Sequence, residues 1–162
     1  MSPTPPPPFD AFLEAEREVV WRYLVATVGA VDADDCFQET FIAALRAYPR
    51  LRAGSDLRAW VLTIAHRKAI DALRGRSRRA QPVADVAELV ASGAAGHGAR
   101  ERDGELWDAV GALPERQRSA VVLRYVGDLA HREIASAIGC SEDAARRSLH
   151  EGLNKLRKAV AA

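Results

Sequence analysis

The segment from Gly127 to Lys158 (GDLAHREIASAIGCSEDAARRSLHEGLNKLRK) limits the possible fold more than any other part of the chain. It predicts a short helix over His131–Ile138, a turn over Gly139–Ser141, and a second helix from Glu142 to about Val160. The glycine tolerates the positive φ that often ends a helix, and the serine is a favoured N-cap. This pattern is typical of a helix-turn-helix whose second helix fits a DNA major groove. An ordinary helical hairpin is the alternative.

The second of these two helices has an apolar face and a polar face. Helical spacing predicts that four residues point inward: Ala145, Leu149, Leu153 and Leu156. The opposite face and the start of the helix carry the candidate DNA-binding residues: Ser141, Arg146, Arg147, His150 and Asn154.

Charge is unevenly distributed along the 162 residues, although the net charge is only +1. Acids predominate from Phe9 to Asp56, whereas Ile64–Arg79 contains six basic residues and only one acid, Asp71. The asymmetry indicates two surfaces with different partners, one of them basic enough to meet phosphates. Two solvated charged faces would give the same asymmetry.

The two cysteines and the hydropathy exclude several classes of protein. Cys36 and Cys140 lie far apart and belong to no Cys/His cluster, so neither a metal site nor a disulfide is expected. No apolar run reaches the length of a membrane span, and residues 1–8 do not resemble a signal peptide. We expect a cytoplasmic protein without cofactor or membrane insertion.

The order of apolar stripes and helix breakers predicts an all-α chain of two small helical domains joined by a flexible linker. We expect helices over Phe9–Val28, about Asp32–Tyr48, about Asp56–Arg74 with Ser55 as cap, and Glu105–Ala112, followed by Pro114 at the start of the next. The predicted organisation is a disordered Pro-rich tail (1–8), a first domain (9–80), a linker (81–104) and a helix-turn-helix domain (105–162).

The second predicted helix has two different faces. An inward-facing stripe is formed by Phe37, Phe41, Leu45 and Tyr48, and an exposed acidic face lies opposite it. Four residues share this face at i, i+3, i+4 and i+7: Asp35, Gln38, Glu39 and Ile42. Carboxylates around one apolar side chain suit a protein partner, through ionic steering and a small buried anchor. A solvated helix face is the alternative. Acid–base catalysis is not expected, because no nucleophile, histidine partner or phosphate-binding loop accompanies the carboxylates.

The third predicted helix has a basic face formed by Arg67, Arg74 and Arg78, with Asp71 between them. If Asp71 bridges Arg67 and Arg74, the array is fixed and can follow a nucleic-acid backbone. A structural ladder of i,i+4 ion pairs is the alternative.

Three blocks of this chain together resemble the extracytoplasmic-function (ECF) class of bacterial RNA polymerase sigma factors of the sigma-70 family. The blocks are DADDCFQETFIAALRAYPRL (32–51), LRAWVLTIAHRKAIDALR (57–74) and LPERQRSAVVLRYVGDLAHREIASAIGCSEDAARRSLH (113–150). The resemblance implies a sigma2-like domain, a sigma4-like domain and promoter recognition in complex with core polymerase. The polymerase performs the catalysis, so the chain itself is not expected to be an enzyme.

The resemblance also implies a role for each surface. The acidic face would dock on the β′ clamp, the sigma4-like domain would meet the β flap, and an anti-sigma protein would regulate the chain. The −35 element would be read by the helix beginning at Glu142, through the candidate DNA-binding residues of that helix and its cap. The −10 element would be engaged by a loop and by the third helix, through Arg50, Arg52, Ser55, Arg67, Lys68, Arg74 and Arg78.

Two other functions remain open from the sequence. One is a stand-alone helix-turn-helix regulator, which would have no need for the acidic face. The other is a degenerate sigma-like protein that binds polymerase or an anti-sigma protein without opening promoters. Glu151, which would repel phosphate if it faced DNA, and Gly152, which costs a helix roughly 1 kcal/mol relative to alanine, favour the latter. Ala130 stands where a serine or threonine often caps the first helix of the helix-turn-helix. The missing cap lowers the free energy of unfolding by about 1 kcal/mol if nothing compensates.

Overall fold

The computed structural model describes residues 2–79 and 97–162, which contain seven α-helices and no strand. The first helical bundle consists of three helices and a 3-10 turn: α1 (Phe9–Val28), α2 (Ala30–Ala47), the turn Tyr48–Arg50, and α3 (Leu57–Arg79). The second bundle consists of α4 (His97–Gly111), α5 (Glu115–Tyr125), α6 (His131–Ile138) and α7 (Glu142–Ala161). The predicted all-α fold in two bundles is confirmed.

Several helix ends differ from the sequence-based expectation. Only Gly29 separates α1 from α2, because its φ of +80° lets the chain turn between them, so α2 begins at Ala30 rather than Asp32. α3 continues past Arg74 to Arg79, with three arginines in its last turn, where the helix dipole favours cations. α4 begins at His97 rather than Glu105. Residues 81–96 of the predicted linker lie outside the described residues.

The N-cap of α3 is Asp56, and the prediction of Ser55 is wrong. The backbone N–H of Ala59 donates to Asp56 Oδ1 at 3.0 Å, and this bond is the main reason that the pKa of the Asp56 carboxyl is lowered. The Ser55 hydroxyl instead donates to the carbonyl of Arg52 at 2.7 Å. It therefore closes the preceding loop rather than starting the helix.

The first bundle is built around an aromatic cluster that joins all three of its helices. The Phe12 ring centroid lies 5.8 Å from that of Trp60, 5.2 Å from that of Tyr48 and 6.2 Å from that of Phe41. The prediction that Leu45 faces inward with this cluster is wrong, because its side chain is 54% exposed. A second link between α2 and α3 is the ion pair of Asp32 with the largely buried Arg76.

The two bundles pack against each other, and their buried side chains form one continuous cluster. Arg118 of α5 donates one hydrogen bond to the carbonyl of Thr27 in α1 (3.3 Å) and another to that of Leu113 (3.1 Å). Gly127 permits close contact, because a Cβ there would lie 2.7 Å from Leu62 Cδ1 of α3. The junction between the bundles is therefore a packed and hydrogen-bonded interface.

Residues 2–8, predicted as a disordered tail, carry no helix and run beside the first bundle. The backbone N–H of Gly54 donates to the carbonyl of Thr4 at 3.1 Å. The hydroxyl of Tyr48 donates to the carbonyl of Pro7 at 2.6 Å. The first contact lies within the loop between the 3-10 turn and α3, and the second lies at the 3-10 turn.

Candidate nucleic-acid and partner interfaces

The acidic face of α2, defined by Asp35, Gln38, Glu39 and Ile42, is exposed along most of its length. Ile42 is 48% exposed and follows the carboxylates of Asp35 and Glu39 on the same face. Leu45 is also exposed, so the apolar part of this face is larger than the sequence predicted. Its position three residues after Ile42 on the same helix was the signal that could have revealed it.

The acidic face affects the chemistry of the cysteine behind it. Burial raises the pKa of the Cys36 thiol to about 11, and the nearby carboxylates of Glu39, Asp32 and Asp35 contribute to the rise. The thiol points inward, 3.7 Å from the backbone carbonyl of Lys68. It is therefore a protonated packing group between α2 and α3.

The basic face of α3 presents Arg67, Arg74 and Arg78 at the surface, while Lys68 is half-buried. The expected bridge from Asp71 to Arg67 and Arg74 is not formed: within the part of the chain that the structure describes, no ion pair within 4 Å involves Asp71. An exposed carboxylate one turn from each arginine gains little by fixing two long side chains. The guanidinium groups are thus not held in a rigid array.

Arg50, the last residue of the 3-10 turn, and Arg52, in the loop between that turn and α3, are exposed, and Ser55 in the same loop is half-buried. Both the N–H and the hydroxyl of Ser55 donate to the carbonyl of Arg52, at 3.2 and 2.7 Å. Gly54 has a φ of +81°, which only glycine adopts easily. The loop is therefore a tight turn closed by its own hydrogen bonds.

A cleft of about 330 Å³ lies between the basic face of α3 and the helix-turn-helix. Arg67 and Arg74 line one side, and α6 with its following turn (Ser136–Gly139) lines the other. The structure thus brings two of the predicted −10 residues beside the second bundle, whereas Arg50 and Arg52 lie outside this cleft.

The helix-turn-helix has the local geometry that the sequence predicted. Gly139 has a φ of +80°, and its N–H and that of Cys140 donate to the carbonyl of Ala135 at 2.9 and 3.0 Å. Ser141 caps α7 by accepting from the N–H of Ala144 at 3.1 Å. At the start of α6, Glu133 accepts from the N–H of Ala130 at 2.8 Å. That bond satisfies one donor at the helix start, although Ala130 has no side chain with which to cap the helix itself.

The outer face of α7 exposes most of the predicted −35 residues. Arg146 and Arg147 are exposed, and the former pairs with Glu142 at 2.7 Å. Further along the helix, His150 Nε2 and Asn154 Nδ2 lie 3.1 Å apart, with Asn154 half-buried. Ser141 differs from the others because its hydroxyl is already engaged as the cap.

Two residues that suggested a degenerate reader have structural roles. Glu151 accepts a hydrogen bond from Gln117 of α5 at 3.0 Å, which holds its carboxylate beside the bundle. Gly152 is buried, and a Cβ there would lie 2.9 Å from Val121 Cγ2. The glycine therefore permits α7 to pack closely on α5. Sequence reasoning missed both contacts because the partners lie about thirty residues away along the chain.

Among the described residues, no group of three or more His, Cys, Asp or Glu side chains is placed to hold a metal ion. Over the same ranges, no helix combines the length and the apolar character that crossing a bilayer requires.

Comparison with known proteins identifies the class of protein that carries these surfaces. The model of the Sigma-70 region 2 family matches residues 12–79, and that of the Sigma-70 region 4 family matches residues 103–156. The ECF RNA polymerase sigma factor SigD of Mycobacterium tuberculosis is 34% identical over 93% of this chain and 76% of its own length. The ECF sigma factor SigC of the same species is 32% identical over 81% of this chain and 71% of its own.

Regions 2 and 4 in this order define a sigma-70 factor. Within that class, the chain belongs to the ECF RNA polymerase sigma factors, the family predicted from its three sequence blocks. Its function is accordingly that of a sigma factor in transcription initiation.

Solved structures show the same fold at lower sequence identity. The sigma factor RpoE, in complex with the anti-sigma factor NepR from Bartonella quintana, aligns with a TM-score of 0.75 and 18% identity. The alignment covers 95% of this chain and 97% of RpoE. CnrH, in complex with the cytosolic domain of CnrY, aligns with a TM-score of 0.71 and 20% identity over 94% of this chain and 87% of its own.

Proposed function

We propose that the acidic face of α2 is the surface through which this sigma factor docks on core RNA polymerase, at the coiled-coil clamp of the β′ subunit. The single observation that carries this proposal is the pair of exposed carboxylates, Asp35 and Glu39, followed on the same helix by exposed Ile42 and Leu45. Carboxylates steer the encounter with a basic partner, and desolvation of the apolar side chains stabilises the complex once formed. The second bundle would meet the β flap.

The −10 element is engaged by the loop before α3 and by the basic face of α3. The residues proposed for this role are Arg50, Arg52, Ser55, Arg67, Lys68, Arg74 and Arg78. The loop would receive an unstacked base of the non-template strand, and the exposed guanidinium groups would follow the backbone phosphates. Binding a base in its unstacked state lowers the free energy needed to open the duplex. Exposed arginines that Asp71 does not hold in place suit contacts to a flexible single strand.

The −35 element is read by α7 in the major groove. Arg146, Arg147, His150 and Asn154 would reach base edges and phosphates, since they lie on the outer face of the helix. Ser141 contributes by capping α7 and so fixing the end of the helix that enters the groove. The carboxylate of Glu151 accepts a hydrogen bond from Gln117 and is not among the groups proposed to contact DNA.

The chain itself performs no catalysis in this proposal, because the polymerase makes the RNA and the sigma factor selects the start site. The site of action is the cytoplasm. Regulation is proposed to come from an anti-sigma protein, because the structures of RpoE and CnrH that share this fold were solved as complexes, the former with an anti-sigma factor.

The docking surface is tested by co-elution of the purified chain with bacterial core RNA polymerase at moderate salt. Reversal of two charges, Asp35→Lys with Glu39→Lys, is expected to abolish co-elution without loss of helix content. The matched control reverses two exposed acids of α1, Glu14→Lys with Glu18→Lys, and should co-elute like the unaltered chain. Co-elution of the α2 variant at unaltered affinity would refute the assignment.

The −35 surface is tested by the salt dependence of binding to mixed-sequence duplex DNA. Replacement of Arg146 and Arg147 by alanine should weaken binding and reduce the slope of log affinity against log salt by about 1 for each phosphate that is no longer neutralised. A control that removes Lys155 and Lys158 from the far end of α7 should change the slope less. Unchanged affinity of the arginine variant across the salt series would show that α7 is not the helix that reads the DNA.

A further inference from the structure

Residues Pro3–Pro8, here called the proline strap, hold two hydrogen-bond donors of the first bundle. The N–H of Gly54 donates to the Thr4 carbonyl (3.1 Å), and the Tyr48 hydroxyl donates to the Pro7 carbonyl (2.6 Å). Both acceptors are backbone carbonyls. The strap therefore attaches by its main chain at two points. One is Gly54 in the loop proposed to engage the −10 element (residues 51–56, here called the −10 loop), and the other is Tyr48 in the 3-10 turn before it.

The end of the proline strap that joins α1 is held in place by aromatic packing. Phe9, the first residue of α1, packs edge-on against the ring of Tyr48, with 5.2 Å between the ring centroids. The ring of Tyr48 also packs on Phe12 and Trp60. Four consecutive prolines then favour an extended polyproline conformation that advances about 3.1 Å per residue. Such a segment directs Thr4 toward Gly54 with little loss of conformational freedom on binding.

The loop does not depend on the strap for its shape. Two bonds from Ser55 to the carbonyl of Arg52 close the turn, and Asp56 caps the helix that follows. The strap instead lies against the loop at Gly54, where an added Cβ would lie 3.2 Å from Pro3 Cβ. The Thr4 carbonyl of the strap thereby accepts from the backbone N–H of Gly54, which would otherwise face solvent.

We propose that the proline strap is an intramolecular cover of the −10 loop, which competes with single-stranded DNA for Gly54 and its N–H. The strap has no charged side chain, so it competes by occupying a donor and a surface rather than by charge. Arg50 and Arg52 stay exposed and can attract DNA before the strap leaves. This inference rests on the proposed function of the loop.

The test uses the chain assembled with bacterial core RNA polymerase. The probe is a pool of duplex fragments that carry a short unpaired strand of randomised sequence, and the dissociation constant of the pool is measured. Deletion of residues 3–7 retains Pro8 at the start of α1. Removing a competitor held by about one hydrogen bond at the loop should tighten binding about threefold to tenfold. The variant Pro5→Ser, Pro6→Gly, Pro7→Ser keeps the length but loosens the strap, and should tighten binding less.

The control is Thr4→Ala, which leaves the accepting carbonyl in place and should bind DNA like the unaltered chain. Hydrogen exchange at the Gly54 amide gives a readout independent of DNA, and should accelerate in the deletion variant but not in Thr4→Ala. Unchanged or weaker DNA binding after deletion would overturn the proposal, as would unchanged exchange at Gly54.

A further variant separates this inference from the proposed function. Arg50→Ala with Arg52→Ala should weaken binding of the pool. If that variant binds like the unaltered chain, the loop is not a DNA surface, and both proposals fail. If it binds more weakly while the deletion of residues 3–7 gains nothing, only the strap proposal fails.

Discussion

His66 is a buried titratable residue between α1 and α3. Its Nδ1 lies 2.8 Å from the hydroxyl of the fully buried Tyr23. Burial lowers the pKa of His66 to about 4, and the positive charge of neighbouring Arg67 contributes to the decrease. The folded chain therefore holds this imidazole neutral throughout the physiological range, where it shares a hydrogen bond with Tyr23.

The depressed pKa makes stability depend on pH in a defined window. Below about pH 6.5 the unfolded chain binds a proton at His66 that the folded chain does not bind until about pH 4. The free energy of unfolding should therefore fall as the pH drops from 6.5 to 4, by about 3 kcal/mol from this residue. Urea unfolding of the unaltered chain and of His66→Asn, measured across this range, should show a difference that shrinks on acidification. A difference that stays constant with pH would contradict the assignment of this pH dependence to His66. The control is His131→Asn, whose free energy of unfolding should follow that of the unaltered chain across the same pH range.

At the scale of the helix, two neighbouring residues, Ser55 and Asp56, compete for the role of N-cap of α3. Asp56→Ala should lower the free energy of unfolding by about 1 kcal/mol, because it removes the acceptor for the N–H of Ala59. Ser55→Ala removes a bond within the exposed loop and should cost about 0.5 kcal/mol. Chemical denaturation of both variants checks the order. A larger loss from Ser55→Ala would restore the assignment made from sequence.

The elements show which features a sequence can reveal. Gly139 and Ser141 could be assigned because a positive φ or a cap is a local requirement. Leu45 was misplaced because a helix stripe shows which residues share a face but not how far the neighbouring helices extend over it. The acidic face and the outer face of α7 are exposed, as the sequence pattern predicted. The contacts of Glu151, Gly152 and the proline strap could not be predicted, because their partners are distant in sequence.

Gly152 provides a direct test of that tertiary requirement. In an isolated helix Gly→Ala stabilises, but a methyl group at this position would lie 2.9 Å from Val121 Cγ2. We expect Gly152→Ala to destabilise the chain by about 1–3 kcal/mol. Gly75→Ala in α3 is the matched control, because its Cβ would meet only the end of the Arg79 side chain at 3.6 Å. That control should gain about 0.5–1 kcal/mol. Equal effects of the two substitutions would show that α7 and α5 do not pack this closely.

For the whole molecule, the central feature is the junction between the bundles. The continuous core favours one cooperative unfolding transition, although the chain contains two family regions. The cleft at this junction contains Arg67 and Arg74. A nucleic acid that follows the basic face of α3 would therefore meet the second bundle as well.

Arg118 is the residue through which this coupling can be tested. Its guanidinium group joins the Thr27 carbonyl of the first bundle to the Leu113 carbonyl of the second. Arg118→Ala leaves both carbonyls without this donor and should cost about 2 kcal/mol. Scanning calorimetry should give a ratio of calorimetric to van't Hoff enthalpy near unity for the unaltered chain and a higher ratio for the variant, as the bundles begin to unfold separately. Arg116→Ala, exposed on the same helix, should retain the single transition. If Arg118→Ala unfolds as one unit at unaltered temperature, this arginine does not couple the bundles.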